Sequence, residues 1–163
     1  MPESLRSRWQ RFLWNFFPAY RGTGGRIRYL ASDEREIRIE LPLSWRTRNY
    51  VGTIYGGSIY GCLDPLMMVM LTRALGPEYL VWDKAASIRF LKPGKTTLHC
   101  RIVLEESELK TIRTALQTER SVDRVYVHEL ADAQGVVHAR VEKTVYVRRK
   151  DAAPRAATST GGG

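Results

Sequence analysis

Cysteine is scarce in this sequence, with only Cys62 and Cys100 in 163 residues. The two lack metal-ligand spacing and lie in apolar surroundings, so buried reduced thiols are expected, in a cytoplasmic protein. Histidine is nearly as rare. His99, His128 and His138 stand singly in strand-like segments and offer no pair at metal-ligand spacing, so no metal site is expected. No Gly-x-Ser-x-Gly elbow occurs, and the glycines Gly22–Gly25 lack the strand-to-helix setting of a phosphate loop. No apolar run approaches the ~20 residues that span a bilayer, and the first residues, MPESLRSRWQRF, contain no uninterrupted apolar core of signal-peptide length.

Charge is unevenly supplied. Lysine is sparse, at six against twenty arginines, and the formal net charge is +9. That excess suits nucleic acid, acidic lipid or a phosphorylated ligand, and equally an arginine-rich solvated surface. The Tyr, Trp and Arg residues gather into no RNA-binding signature, so no nucleic-acid partner is expected. Hydrophobic residues make up 44% of the chain and aromatics 10%, a composition that folds.

Periodicity supplies the element order. Leu5, Trp9, Phe12, Leu13 and Phe16 form one stripe of a helix over Ser4–Phe17 that Pro18 ends. Such a stripe packs on its own domain or a partner subunit, or lies on a membrane surface. Ile27, Tyr29 and Ala31, then Ile37, Ile39 and Leu41, alternate as a strand pair around the Ser32–Glu34 turn. From Gly57 to Leu75 the pattern is helical and apolar nearly all round, which marks a buried helix, with Gly76–Pro77 as its stop. Strands follow over Leu80–Leu91 and Thr96–Leu104, separated by the Pro93–Gly94 turn. A short helix over Ser107–Gln117, capped by Ser107, precedes strands Val122–Leu130 and Val136–Arg148. One long helix serving six strands implies an α+β fold with an antiparallel sheet wrapped around it. The expected division is an amphipathic helix over 1–22, a core domain over 23–150 and a disordered tail over 151–163.

The central stretch Asn49–Leu75 holds the chemistry. A single carboxylate, Asp64, stands among Leu63, Leu66, Met67, Met68 and Val69. Charged, dry and unpaired there, it costs several kcal/mol. Pro65 follows it and deprives the Gly61 carbonyl of its helical donor, so the helix kinks or loosens at that point. Gly56 and Gly57 open the helix, where free N–H groups suit a carbonyl oxygen gaining charge.

Asn49, then five residues, Tyr55-Gly56-Gly57, then six residues and Asp64 reproduce the spacing of an Asn, His-Gly-Gly and Asp pattern. The chain thereby resembles hotdog-fold acyl-CoA thioesterases of the phenylacetate-pathway type and their mammalian relatives. The Asp64-Pro65 pair and the run Arg89–Gly94 resemble more closely a poorly characterised hotdog subfamily. The resemblance extends over roughly Ile27–Arg149. It implies thioester hydrolysis with Asp64 as general base or nucleophile, Gly56 and Gly57 as the oxyanion hole, and Asn49 orienting water or substrate. It also implies a site shared between subunits of a homodimer or homotetramer, with no cofactor beyond the coenzyme A of the substrate. Tyr55 replaces the motif histidine, and Asp83 and Lys84 stand where relatives carry a small polar residue; all three are candidate substrate contacts, and Asp83 and Lys84 equally suit an ion pair near Asp64 or a plain solvated strand start. Arg89 and Lys92, with Lys95, flank the Pro93–Gly94 turn as candidate contacts to the coenzyme phosphates. A hydratase would need a histidine beside the carboxylate, and the helix has none. A non-catalytic acyl-CoA or lipid-binding protein is the standing alternative.

Overall fold

In a computed structural model of the chain, residues 1–150 are described. The tail assigned to residues 151–163 lies outside them. Helix α1 (Leu5–Phe16) begins at a reciprocal capping box, in which the Ser4 hydroxyl accepts from Ser7 N–H and Ser7 Oγ accepts from Ser4 N–H. Pro18 ends α1 and occupies the first position of a short helix not anticipated from sequence, α2 (Pro18–Gly22), a place where a missing N–H costs nothing. Strands β1 (Arg26–Leu30) and β2 (Glu36–Leu41) form the expected antiparallel pair.

The apolar stretch that follows is not one helix. It forms α3 (Gly56–Gly61) and α4 (Leu66–Leu75), separated by turn residues 62–65. Pro65 is the cause. It has no N–H for the Gly61 carbonyl, and Leu66 N–H bonds the nearer Leu63 carbonyl at 3.2 Å before regular pairing resumes from Val69 N–H to Pro65. The expected loosening at Pro65 is therefore a complete break, and the continuous helix over Gly57–Leu75 is corrected accordingly.

Strand β3 (Tyr79–Phe90), β4 (Leu98–Val103), helix α5 (Glu106–Thr118), β5 (Ser121–Ala131) and β6 (Val137–Arg149) complete the chain. Helix α5 is capped two positions earlier than expected, by Glu105 rather than Ser107. Its Glu106 and Glu108 lie in the first turn, where the helix dipole favours acids. The six strands make one antiparallel sheet in the order β1-β2-β4-β5-β6-β3. Ile59, Leu63, Leu66, Met67, Met70 and Leu71 of the broken helix pack on Ile37, Ile39, Val141 and Val145 of the sheet in a single buried cluster. The α+β architecture is as expected. Cys62 and Cys100 are buried and unlinked within that cluster.

Candidate functional site

The side chains of β6 that face the helices read Ala139, Val141, Lys143, Val145 and Val147, all buried. Lys143 is the exception in kind. Its side chain is 0% exposed, yet it ends in an ammonium that no apolar surrounding can satisfy. The break in the central helix answers it. No N–H of α4 reaches the Asp64 carbonyl, and Lys143 Nζ donates to that oxygen instead. The same ammonium donates to Asp64 Oδ1 at 3.0 Å and to Asp83 Oδ2 at 2.6 Å. One lysine thus binds two carboxylates and the free backbone end of a broken helix.

Asp64 departs from the sequence expectation in its surroundings. Its side chain is 44% exposed and ion-paired, not dry and alone. Its Oδ1 accepts from Tyr60 Oη at 2.6 Å as well as from Lys143, while Oδ2 accepts nothing among the described residues. Burial, followed by the bond to Asp64, pushes the Tyr60 phenol well above its ordinary value, so it remains a donor. Asp83 occupies the more enclosed side of the lysine. Burial holds its carboxyl above the usual carboxylate range, the Lys143 hydrogen bond and charge pull it down, and the Asp64 charge pushes it up again. Asp83 Oδ1 is buried without a hydrogen-bond partner among the described residues. Lys84 takes no part. It lies at a bulge between Asp83 and Ala85, which turns it toward solvent and Asp123, 2.5 Å away.

Two members of this cluster escaped the sequence reading. Tyr60 belongs by pattern to the apolar surface of the helix, although its spacing of four from Asp64 stacks the two on one face. The signal for Lys143 was present, a lysine in register with Val141 and Val145 on the dry side of a strand. His128 is also near. It is buried, with Nε2 unpartnered among the described residues, and neither exposed nor satisfied as a lone strand histidine should be. Burial, then the Lys143 charge, lowers its pKa to about 4.

The remaining candidates gather elsewhere. Asn49, Gly56 and Lys92 line a cleft of about 400 Å³ together with Thr53, Ile54, Ile59, Phe90, Leu91 and Gly94. Asn49 closes its own loop: Oδ1 accepts from Val51 and Thr53 N–H, and Nδ2 donates to Thr53 Oγ1 at 2.9 Å. At the start of α3 the N–H groups of Gly56 and Gly57 donate to no acceptor among the described residues. Both positions are crowded. A Cβ on Gly56 would stand 2.9 Å from the Phe90 ring, and one on Gly57 only 2.3 Å from the ring of Tyr55. Tyr55 therefore lies against Gly57 while remaining largely open to solvent. Arg89 is exposed on β3 and does not line the cleft. The far wall, the Pro93–Gly94 turn, is pinned by His138, whose Nδ1 donates to the Pro93 carbonyl at 3.0 Å and whose Nε2 faces Asp132 Oδ2 at 3.0 Å. Within the chain the candidate residues thus form two groups, Asp64 with Asp83 on Lys143, and Asn49 with Gly56 and Lys92 on the cleft. Among the described residues no three His, Cys, Asp or Glu side chains are grouped to hold a metal ion.

Residues 6–147 match the model of the domain of unknown function DUF4442. No curated protein matches the sequence. Among solved structures, the chain is similar to a Pseudomonas aeruginosa protein of unknown function described as a probable thioesterase, at 18% identity and TM-score 0.78, over 91% of this chain and 98% of that one. It is also similar to a thioesterase from Haemophilus influenzae, at 14% identity and TM-score 0.64, over 90% and 93% of the two chains. A thioesterase from Pseudomonas aeruginosa solved as a mutant aligns at 14% identity and TM-score 0.64, over 91% and 96%.

Proposed function

This chain belongs to the DUF4442 family and has the hotdog thioesterase fold, and from that premise we propose that it hydrolyses acyl-CoA thioesters. The observation that carries the proposal is the setting of Asp64. Its Oδ1 is held by Tyr60 and Lys143, while Oδ2 accepts no hydrogen bond among the described residues on a side chain that is 44% exposed. A carboxylate fixed on one oxygen and free on the other suits a general base aimed at water, or a nucleophile aimed at a carbonyl. Lys143 and Tyr60 are positioning residues in this scheme, and Asp83 balances the lysine.

The substrate carbonyl meets the N–H groups of Gly56 and Gly57, which have no other acceptor among the described residues and stand where a dipole favours negative charge. With Asp64 as base, water gives up a proton to Asp64 as its oxygen bonds the carbonyl carbon, and the tetrahedral oxyanion forms at those N–H groups. Its collapse breaks the C–S bond and expels the coenzyme A thiolate, which takes the proton back, leaving the acid with the oxygen of water. Asp64 does not line the cleft beside Gly56, so the scheme pairs the Asp64 of one protomer with the glycines of another. Strand β3 supports such pairing. It is twelve residues long, forms one edge of the sheet, and leaves Trp82 and Phe90 exposed, the kind of open edge to which a second copy adds.

A second reading, a protein that binds acyl-CoA without cleaving it, draws on Tyr55. Its ring lies against Gly57, where the expected pattern has histidine, and narrows the approach to the N–H groups. One experiment separates the two. Purified protein is given a panel of acyl-CoA thioesters and released thiol is followed, beside Asp64→Asn. Hydrolysis that falls by roughly 10²-fold or more in the variant supports the first reading. Turnover unchanged by the substitution removes Asp64 from the mechanism, and saturable binding with no turnover on any thioester establishes the second.

A further inference from the structure

Helix α1 is mounted with its polar side inward. Asn15 accepts from Ile27 N–H at 2.8 Å and donates to the Ile27 carbonyl at 2.9 Å, while Glu3 accepts from Leu30 N–H at 2.9 Å and from Arg11. Those backbone groups belong to β1, the sheet edge opposite β3. An edge strand left open exposes unpaired N–H and C=O groups, and here Asn15 of α1 and Glu3 just before it take up those of Ile27 and Leu30. The consequence is that the apolar stripe points outward. Trp9 is 63% exposed and Phe16 56%, with Leu5, Phe12, Leu13 and Phe17 also exposed. Rings of Trp9 and Phe12 stack at 5.3 Å, and those of Phe12 and Phe16 meet at 4.4 Å. The stripe continues onto Trp45, 84% exposed, which shares a cleft with Phe16.

Charge accompanies the aromatics. Arg21 lies over the Phe16 ring at 5.7 Å and Arg46 over the Trp45 ring at 5.1 Å. Both also line a neighbouring cleft with Arg11, Arg26 and Arg28, and no carboxylate among the described residues lines it. Residues 1–31 hold six arginines against one acid, Glu3, which is already engaged with Arg11 and β1. Arg21, Arg26 and Arg46 make no ion pair among the described residues.

We propose that this face docks the protein on the surface of an anionic phospholipid membrane, with Trp9, Phe12, Phe16 and Trp45 at the headgroup boundary and Arg21, Arg26 and Arg46 on lipid phosphates. Aromatic side chains favour that boundary, and basic residues beside them add attraction to acidic lipid. A second copy of the chain is a poor occupant, because a two-fold contact here sets like arginines against each other. The face also lies at the opposite edge of the sheet from β3. Docking here does not depend on the thioesterase reading.

The test is flotation of the full chain with phosphatidylcholine vesicles, with or without about one third phosphatidylglycerol. It is repeated for Trp9→Ser/Phe16→Ser and for Arg21→Gln/Arg46→Gln, with Val127→Ser as a surface control. Circular dichroism verifies folding, and all five substituted positions are exposed. The expected result is binding to anionic vesicles at least roughly tenfold tighter than to neutral ones, lost in both double variants and kept in the control. Blue-shifted tryptophan fluorescence should accompany it. Failure to float with either lipid overturns the proposal, as does binding unchanged by the double variants. A lipid-free dimer that Trp9→Ser/Phe16→Ser dissociates also overturns it, since the face then belongs to a second copy.

Discussion

Lys143 is the residue on which the two halves of the central cluster depend. Replacing it with Met keeps its length and removes the one cation that Asp64 and Asp83 share among the described residues. The enclosed Asp83 then stands without a counter-charge, and a buried pair broken on one side costs about 3 kcal/mol or more. Urea denaturation of Lys143→Met should show that loss, and Asp83→Asn added to it should recover part. A double variant no more stable than the single one would mean that Asp83 is not the group left stranded. His128 makes a second prediction. Its folded pKa, about 4, is depressed from an ordinary 6.5 by burial and the Lys143 charge. The neutral ring is the form that fits, so its stability contribution is complete above pH 6.5 and is lost as pH falls through that value toward 4. The expected loss is on the order of 3 kcal/mol. His128→Phe, which needs no partner for Nε2, should flatten stability across that range. Parallel pH curves for the two proteins would place the acid sensitivity elsewhere.

At the scale of elements, the decisive event is the division of the central helix into α3 and α4. Pro65 makes the break, the break frees the Asp64 carbonyl, and that carbonyl and the Asp64 side chain together anchor Lys143. Restoring an N–H with Pro65→Ala allows the Gly61 carbonyl its helical bond and draws the two helices toward one. Thermal stability should then stay level or rise while thioester turnover falls several-fold, because Asp64 leaves its aim. Unaltered turnover in a folded Pro65→Ala protein would show that the break serves packing alone. Sequence periodicity carried this element well up to a point. The apolar faces of residues 57–75 and the stop at Gly76 were legible, and so was the weakness at Pro65. The length of the interruption was not, because it depends on Lys143 taking up the carbonyl, and that lysine lies 79 positions further along the chain.

The whole molecule is a sheet with two differently treated edges. At β1 Asn15 of α1 and Glu3 before it bond the backbone of Ile27 and Leu30, while β3 is left open with Ala85, Ala86 and Ser87 exposed. If β3 pairs with its counterpart in another copy, light scattering after size exclusion should give at least twice the mass of the 18.7 kDa chain. A strict monomer at working concentration would remove the shared site from the proposed mechanism. The sequence by itself determined the α+β class, the six strands and the spacing of Asn49, Gly56-Gly57 and Asp64, because periodicity, turn chemistry and helix breakers act over a few residues. Only the tertiary structure decided that Asp64 is ion-paired, that Lys143 and Tyr60 hold it, and that the aromatic stripe of α1 faces outward. Each of those depends on what a distant strand presents: a lysine on the dry face of β6, and on β1 an edge whose backbone groups need polar partners more than α1 needs to bury its rings.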